Sequence, residues 1–349
     1  TRCRSRTAVD PAANAFEGGH TLYAFFQSIL VGISDIVGSH GWAVVLFTFL
    51  TRLILSPFDY KSRKSMRRME KLNPQLQALQ KKYANDKEKL QRKQAELYRK
   101  EKINPLGSCL PMLLTLPLML VMFGAMRNVA NEELVRSLLS IQHAIGDLTD
   151  PAAIQAVLPA LDTLVEPFFW IKNLWMADSP FTSVLPLNAN ALMIVGNSIE
   201  GLITAEEMTA LKAFVDGSVY QSVVLPFYHA TPMPGGTINM MITSFTLYTT
   251  PNGFFILPIL AFVTQFFSNT LTMQQPTAPA ANGQPNTGKF MKWAFPIFSV
   301  YICATSNAAF SVYWVAVNIV AMIQQFGFRK LFAAQEARAV AKTEEVDKL

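Results

Sequence analysis

Arg52 is the only charged residue in the eighteen-residue apolar run GWAVVLFTFLTRLILSPF, Gly41 to Phe58. A guanidinium at the centre of a membrane helix costs about 2.5–3.5 kcal/mol on insertion scales, so its presence asks for a reason. One reading is snorkelling, in which the long side chain reaches the headgroups and does nothing more. The other is a functional site, the default for a charge at that depth. Arg52 precedes Asp59 by seven residues, which sets it roughly 10 Å below the membrane edge at about 1.5 Å per residue. The other long apolar runs contain no Asp or Glu to neutralise it. An unpaired guanidinium there implies water, and hence a hydrated recess. Thr115, Gln265, Ser268, Asn269, Tyr313, Trp314 and Asn318 are the polar or amphipathic residues of neighbouring runs that can line it. Each alone is also an ordinary helix-packing contact. Together they suit the stabilisation of a polar or anionic group inside a membrane, which is binding chemistry and breaks no bond.

Bond-breaking chemistry finds little support. His20, His40, His143 and His229 are dispersed, without HExxH or GxSxG patterns. No GxxxxGK[ST] loop offers a nucleotide site. Cys3, Cys109 and Cys303 are too few and too scattered for a disulfide framework or a metal centre. The expectation is therefore a protein without cofactor, metal or catalytic residues.

The elements that position Arg52 follow from apolar length. Of 349 residues, 51% are hydrophobic and 15% charged, against about 25% charged in soluble domains. A bilayer core of about 30 Å takes roughly 20 apolar residues as helix. Such segments occur at 41–59, 105–126 and 254–273, and a pair within 290–328 is joined by so few residues that it must form a hairpin. Pro111, Pro117, Pro258 and Pro296 are tolerable in membrane helices where neighbours satisfy the freed carbonyls. Residues 1–40 read as an external N-terminal segment with an amphipathic helix. The sequence starts at Thr1, so a cleaved or missing upstream segment is expected.

Charge sets the orientation. Fifteen of the thirty basic residues lie between Tyr60 and Asn104, whereas 127–250 holds four, with eleven acids. The positive-inside rule puts 60–104 in the cytoplasm, 127–250 outside, the N-terminus outside, and both the 274–289 loop and the 329–349 tail inside. Arg2, Arg4 and Arg6 run against this assignment. The net charge of +6 points to a membrane surface and not to nucleic acid, because the basic residues adjoin apolar segments. Within 60–104, Met66, Met69, Leu72, Leu76, Leu79 and Tyr83 form one helical stripe, and Leu90, Leu97 and Tyr98 a second. The spacing predicts a helical hairpin whose second helix is capped by Asn85 with Glu88 as capping-box partner. That hairpin reads either as a solvated charged arm or as a platform for anionic lipid, ribosome or an incoming chain. Lipid is the simpler partner, at about 1 kcal/mol per basic residue.

The sequence resembles the YidC/Oxa/Alb family of membrane protein insertases. The resemblance is carried by GWAVVLFTFLTRLILSPFDYKSRKSMRRM, by LNPQLQALQKKYANDKEKLQRKQAELYRKEKINPLGSCLPMLLTLPL, by PFFWIKNL at 167–174, by FILPILAFVTQFF, and by MKWAFPIFSVYICATSNAAFSVYWVAVNIVAMIQQ. It implies an all-α membrane protein with five transmembrane helices around a cytoplasm-facing hydrophilic groove, a cytoplasmic helical hairpin and an extracellular insertion. In that likeness Arg52 matches the groove arginine, and Trp314 falls in the last-span SVYW. The third-span glutamine falls near Ser268 and Asn269, with Gln265 one turn earlier. Residues 175–250 read as an insertion, the final hairpin lacks a Pro-Ala-Gly pattern, and the tail is nearly neutral.

The function so implied is insertion of nascent membrane proteins into a bacterial plasma membrane without nucleotide hydrolysis, with a Sec translocon, ribosomes and anionic lipids as further partners. Two other classes stay open. A small-solute transporter or channel would reveal itself as flux, although no inverted repeat is evident. A non-catalytic assembly scaffold would contact clients only after they integrate.

Overall fold

The computed structural model describes residues 11–101, 110–191, 202–239, 244–272 and 287–346. Helices dominate. They run as α1 (Pro11–Val37), α2 (His40–Lys82), α3 (Lys87–Lys100), α4 (Leu110–Ile145), α5 (Pro151–Val157), α6 (Leu161–Leu164), α7 (Ala205–Val215) and α8 (Leu225–Phe227), then α9 (Ile256–Thr272), α10 (Thr287–Thr305) and α11 (Ala308–Val346). The all-α expectation has one exception. β1 (Pro232–Asn239) and β2 (Ser244–Tyr248) form an antiparallel hairpin between α8 and α9. Its register slips between Pro232 and Thr237, where Gly235 takes a positive φ of 70°.

Helices outrun the boundaries that composition suggested. α2 passes from the apolar run into the basic segment without a break at 59/60, despite Pro57 and Pro74 inside it. Each proline removes one backbone bond, but the Lys, Arg, Met and Leu of residues 61–72 are good helix formers and carry the helix onward. α4 continues past residue 126 to Ile145. α11 likewise continues through the expected tail, because residues 329–346 contain no Gly or Pro.

Two of these helical stretches, His40–Met69 and Ala308–Arg338, are long and apolar enough to cross a membrane; Tyr23–Val37 and Ile256–Leu271 are shorter apolar helices. Along α2, Trp42, Leu46, Phe49, Leu50, Leu53, Ile54 and Phe58 are all exposed. Water does not sustain such a strip on a soluble protein, whereas lipid does. The chain has the build of a helical membrane protein.

The chain forms two compact units. The first comprises Thr1–Val44, Pro117–Ile256 and Ser306–Phe310. Its core holds Met122, Met126, Val129, Leu134, Leu138 and Ile141 of α4. Gln27 Nε2 of α1 donates to Glu132 Oε1 at 2.7 Å. Residues 165–191 have little regular structure, yet their polar groups are accounted for. The Asn173 N–H donates to Asn252 Oδ1 at 2.8 Å, and Asn252 Nδ2 returns to the Asn173 carbonyl at 2.9 Å. Both side chains are buried, so these bonds offset their desolvation. The turn between α10 and α11 is treated the same way. Asn307 Oδ1 accepts the Phe310 N–H, while the Ala308 and Ala309 N–H groups donate to the carbonyls of Met176 and Leu174. The orphan donors that open α11 are thereby satisfied.

The second unit comprises Val45–Leu116, Leu257–Thr305 and Ser311–Leu349. In the basic hairpin Leu72, Leu76 and Leu90 are buried, as their stripes predict. The cap is different from the expected one. Asp86, not Asn85, caps α3, its side chain accepting the Lys89 N–H at 2.9 Å. Asn85 falls one residue too early, inside the turn that ends α2.

Candidate functional site

The site residues Arg52, Gln265, Ser268, Asn269, Tyr313, Trp314 and Asn318 all belong to the second unit. α2 supplies the charge. Arg52 keeps only 13% of its side chain exposed, and its guanidinium lies 3.8 Å from Asp59 Oδ2. This corrects the expectation of an unpaired guanidinium. Seven residues is two helical turns, so both side chains share one face, and the length of arginine closes the gap. Pro57 withholds an N–H from the Leu53 carbonyl, interrupting the helical ladder at this turn. One residue earlier, the Arg52 carbonyl accepts Gln324 Nε2 of α11 at 2.9 Å.

α9 and α11 supply the polar residues. Gln265 Nε2 donates to Asn269 Oδ1 at 2.9 Å, one turn along α9. Asn318 Nδ2 of α11 meets Thr264 Oγ1 of α9 at 3.4 Å. Ser268 is half-buried on the same helix. Tyr313, Trp314, Asn318 and Gln265 are each less than a tenth exposed. Trp314 stacks near Phe295 with ring centroids 6.4 Å apart. Thr115 lies on α4, and its side chain is outside the described residues.

Sequence reasoning overlooked several members of this cluster. Arg63 sits over the Phe328 ring at 5.8 Å, one helical turn beyond Asp59 on α2. Arg329 Nη2 donates to the Leu271 carbonyl at 2.9 Å, closing the C-terminal end of α9 where helix carbonyls lack partners. Three guanidiniums thus gather with one carboxylate, which leaves the cluster net positive. The paired glutamines Gln324 and Gln325 in an apolar helix were the signal available for α11, and Thr264 beside Gln265 the signal for α9. Among the described residues no group of three or more His, Cys, Asp or Glu could hold a metal ion. The arrangement can attract and hold an anionic or polar segment.

Comparison with known proteins agrees with this build. The 60Kd inner membrane protein family matches residues 32–215 and 218–336. The match runs through most of the 175–250 segment, which by sequence pattern alone reads as an insertion. The membrane protein insertase YidC of Fusobacterium nucleatum is 43% identical over 110 residues, 31% of this chain and 54% of that protein. Its namesake in Aromatoleum aromaticum is 44% identical over 95 residues, covering 27% and 17% respectively. That of Legionella pneumophila is 34% identical over 175 residues, or 50% and 26%. The chain thus spans about half the length of the first relative and a smaller share of the other two. Matched by the family over most of its length, this chain belongs to the 60Kd inner membrane protein family.

Proposed function

We propose that this chain is a membrane protein insertase of the bacterial plasma membrane, working without nucleotide hydrolysis or any enzymatic reaction. The observation that carries the reading is Arg52, a permanent cation within an apolar helix, set among polar side chains of α9 and α11. The family match and the names of the relatives support it. Five membrane helices would surround a groove open to the cytoplasm, with the basic hairpin on that side and residues 127–250 outside. A nascent client would lay its polar or acidic outer segment against the cluster while its apolar helix moves into lipid. Asp59 holds the guanidinium in place until a client carboxylate competes for it. The positive cluster and its water lower the desolvation cost of that segment. The basic hairpin would meet anionic lipid, with the ribosome and a Sec translocon as neighbours.

The test is insertion of a small client with an acidic outer segment into vesicles containing the purified protein. Arg52→Ala should slow insertion about tenfold, the effect of ~1.4 kcal/mol on a barrier. Arg52→Lys should keep most of the activity if charge is what matters. Unchanged insertion by Arg52→Ala at equal reconstitution removes this residue from the mechanism.

A further inference from the structure

Three large rings in the first unit are turned outward. Phe169 is 72% exposed, Phe254 61% and Trp42 51%. They are not loose surface residues. Phe169 takes a φ of +54°, a left-handed conformation that a bulky aromatic residue rarely adopts. It does so in a tight turn closed by reciprocal bonds between Phe168 and Ile171, at 2.9 and 3.0 Å. Such strain persists only where the surroundings impose it. Here they do. Asp178, fully buried, accepts Trp170 Nε1 at 3.1 Å through one oxygen and the Phe254 N–H at 2.9 Å through the other. One carboxylate therefore ties the turn bearing Phe169 to the residue that leads into α9. Gly253 leaves no room for a Cβ beside that carboxylate. Trp42, in the first turn of α2, meets Phe168 and Phe169 edge-on at 5.6 and 5.7 Å. Gly41 sits so close to the Phe168 ring that a side chain there would collide with it.

Trp42 and Phe169 in ring contact, with Phe254 tied to the same turn through Asp178, make up a collar at the residues that lead into α2 and α9. Along α2, the exposed Leu46, Phe49 and Leu53 follow Trp42 at helical spacing, an apolar row of the kind lipid covers. Aromatic side chains collect at membrane–water interfaces, where a rigid ring meets headgroups on one side and acyl chains on the other. We propose that Trp42, Phe169 and Phe254 seat the first unit in the headgroup–acyl boundary of a phospholipid bilayer. The strained turn keeps Phe169 from folding back, and the Asp178 bonds keep Phe169 and Phe254 in step. The collar so fixes the depth at which the first unit sits in the membrane. This rests on α2 being a membrane helix and not on the client reading.

The full chain carrying p-benzoylphenylalanine at Phe169, at Phe254 or at Trp42 is reconstituted into phosphatidylethanolamine–phosphatidylglycerol vesicles without client and irradiated. Leu148, in the turn beyond α4, is the control. Mass spectrometry should find phospholipid adducts at the collar positions and their loss at 148. Two collar positions that reconstitute normally suffice to decide. Collar yields no higher than the control's, or adducts only to a second copy of the chain, overturn the proposal. Either result leaves the insertase reading standing, because no client is present.

Discussion

Glu166 closes a ring on His40: its Oε1 accepts the His40 backbone N–H at 2.6 Å, and its Oε2 lies 2.6 Å from His40 Nδ1. The N–H is one of the orphan donors opening α2, so a carboxylate distant in sequence serves as the helix cap. Ser39 Oγ adds a third contact at 3.3 Å. Burial alone would raise the Glu166 carboxyl, but the bonds and charge from His40, with the Ser39 bond, outweigh it and hold the group below its ordinary 4.5. A depressed carboxyl contributes stability above its unfolded value, and that contribution is lost as pH falls through its folded value. Glu166→Gln should therefore lower stability by about 1–3 kcal/mol at neutral pH. Thermal unfolding in micelles should show the wild type losing its advantage over the variant below pH 4.5.

Arg52 and Asp59 make a prediction that needs no client. Each side chain is 13% exposed, so removing one partner leaves the other charge poorly solvated. Asp59→Asn and Arg52→Ala should each destabilise the second unit, and the double variant should lose less than the sum. Denaturant unfolding of all four proteins should give a coupling of about 0.5–3 kcal/mol. A coupling within error of zero would mean that 3.8 Å is proximity without interaction.

At the start of α3 two candidate caps compete. Asp86→Ala should cost about 1 kcal/mol of helix stability, and Asn85→Ala close to nothing. Amide hydrogen exchange across Lys87–Lys100 reads the difference directly, with faster exchange in the first turn of the Asp86 variant alone.

The hairpin shows how far local pattern reaches. The stripes of Leu72, Leu76 and Leu90 were legible because burial follows helical period. The choice between Asn85 and Asp86 was not, since either fits three residues ahead of an acceptable N–H and only the turn geometry decides. Asp59 marks the water edge of a span by its charge, and its pairing with Arg52 depends on side-chain reach across two helical turns, which an apolar pattern does not carry. The bonds between Asn173 and Asn252 join residues 79 apart in the chain, and no periodicity encodes such a contact. The same holds for Asp178, whose two acceptors bind groups contributed by separate segments. Polar singletons in loops acquire meaning only when the fold brings their partners.

The helical tail offers the last prediction, because two kinds of contact compete to hold it. Glu336 lies 3.6 Å from Arg67 and 3.1 Å from Lys71, yet about half of its side chain is exposed. Lys71 and Arg67 hold the Glu336 carboxyl below its usual range, and water screens most of that attraction. Phe332, by contrast, is buried, stacks on Tyr60 at 5.1 Å and lies under the Arg67 guanidinium at 5.2 Å. Phe332→Ala should cost about 3 kcal/mol through lost burial and the cavity left behind, and hydrogen exchange should rise across residues 328–346. Glu336→Ala should leave that exchange close to wild type. If Glu336→Ala loosens the tail as much as Phe332→Ala does, charge and not ring packing fastens α11 to α2, and raising the salt concentration should then release the tail from the wild type as well.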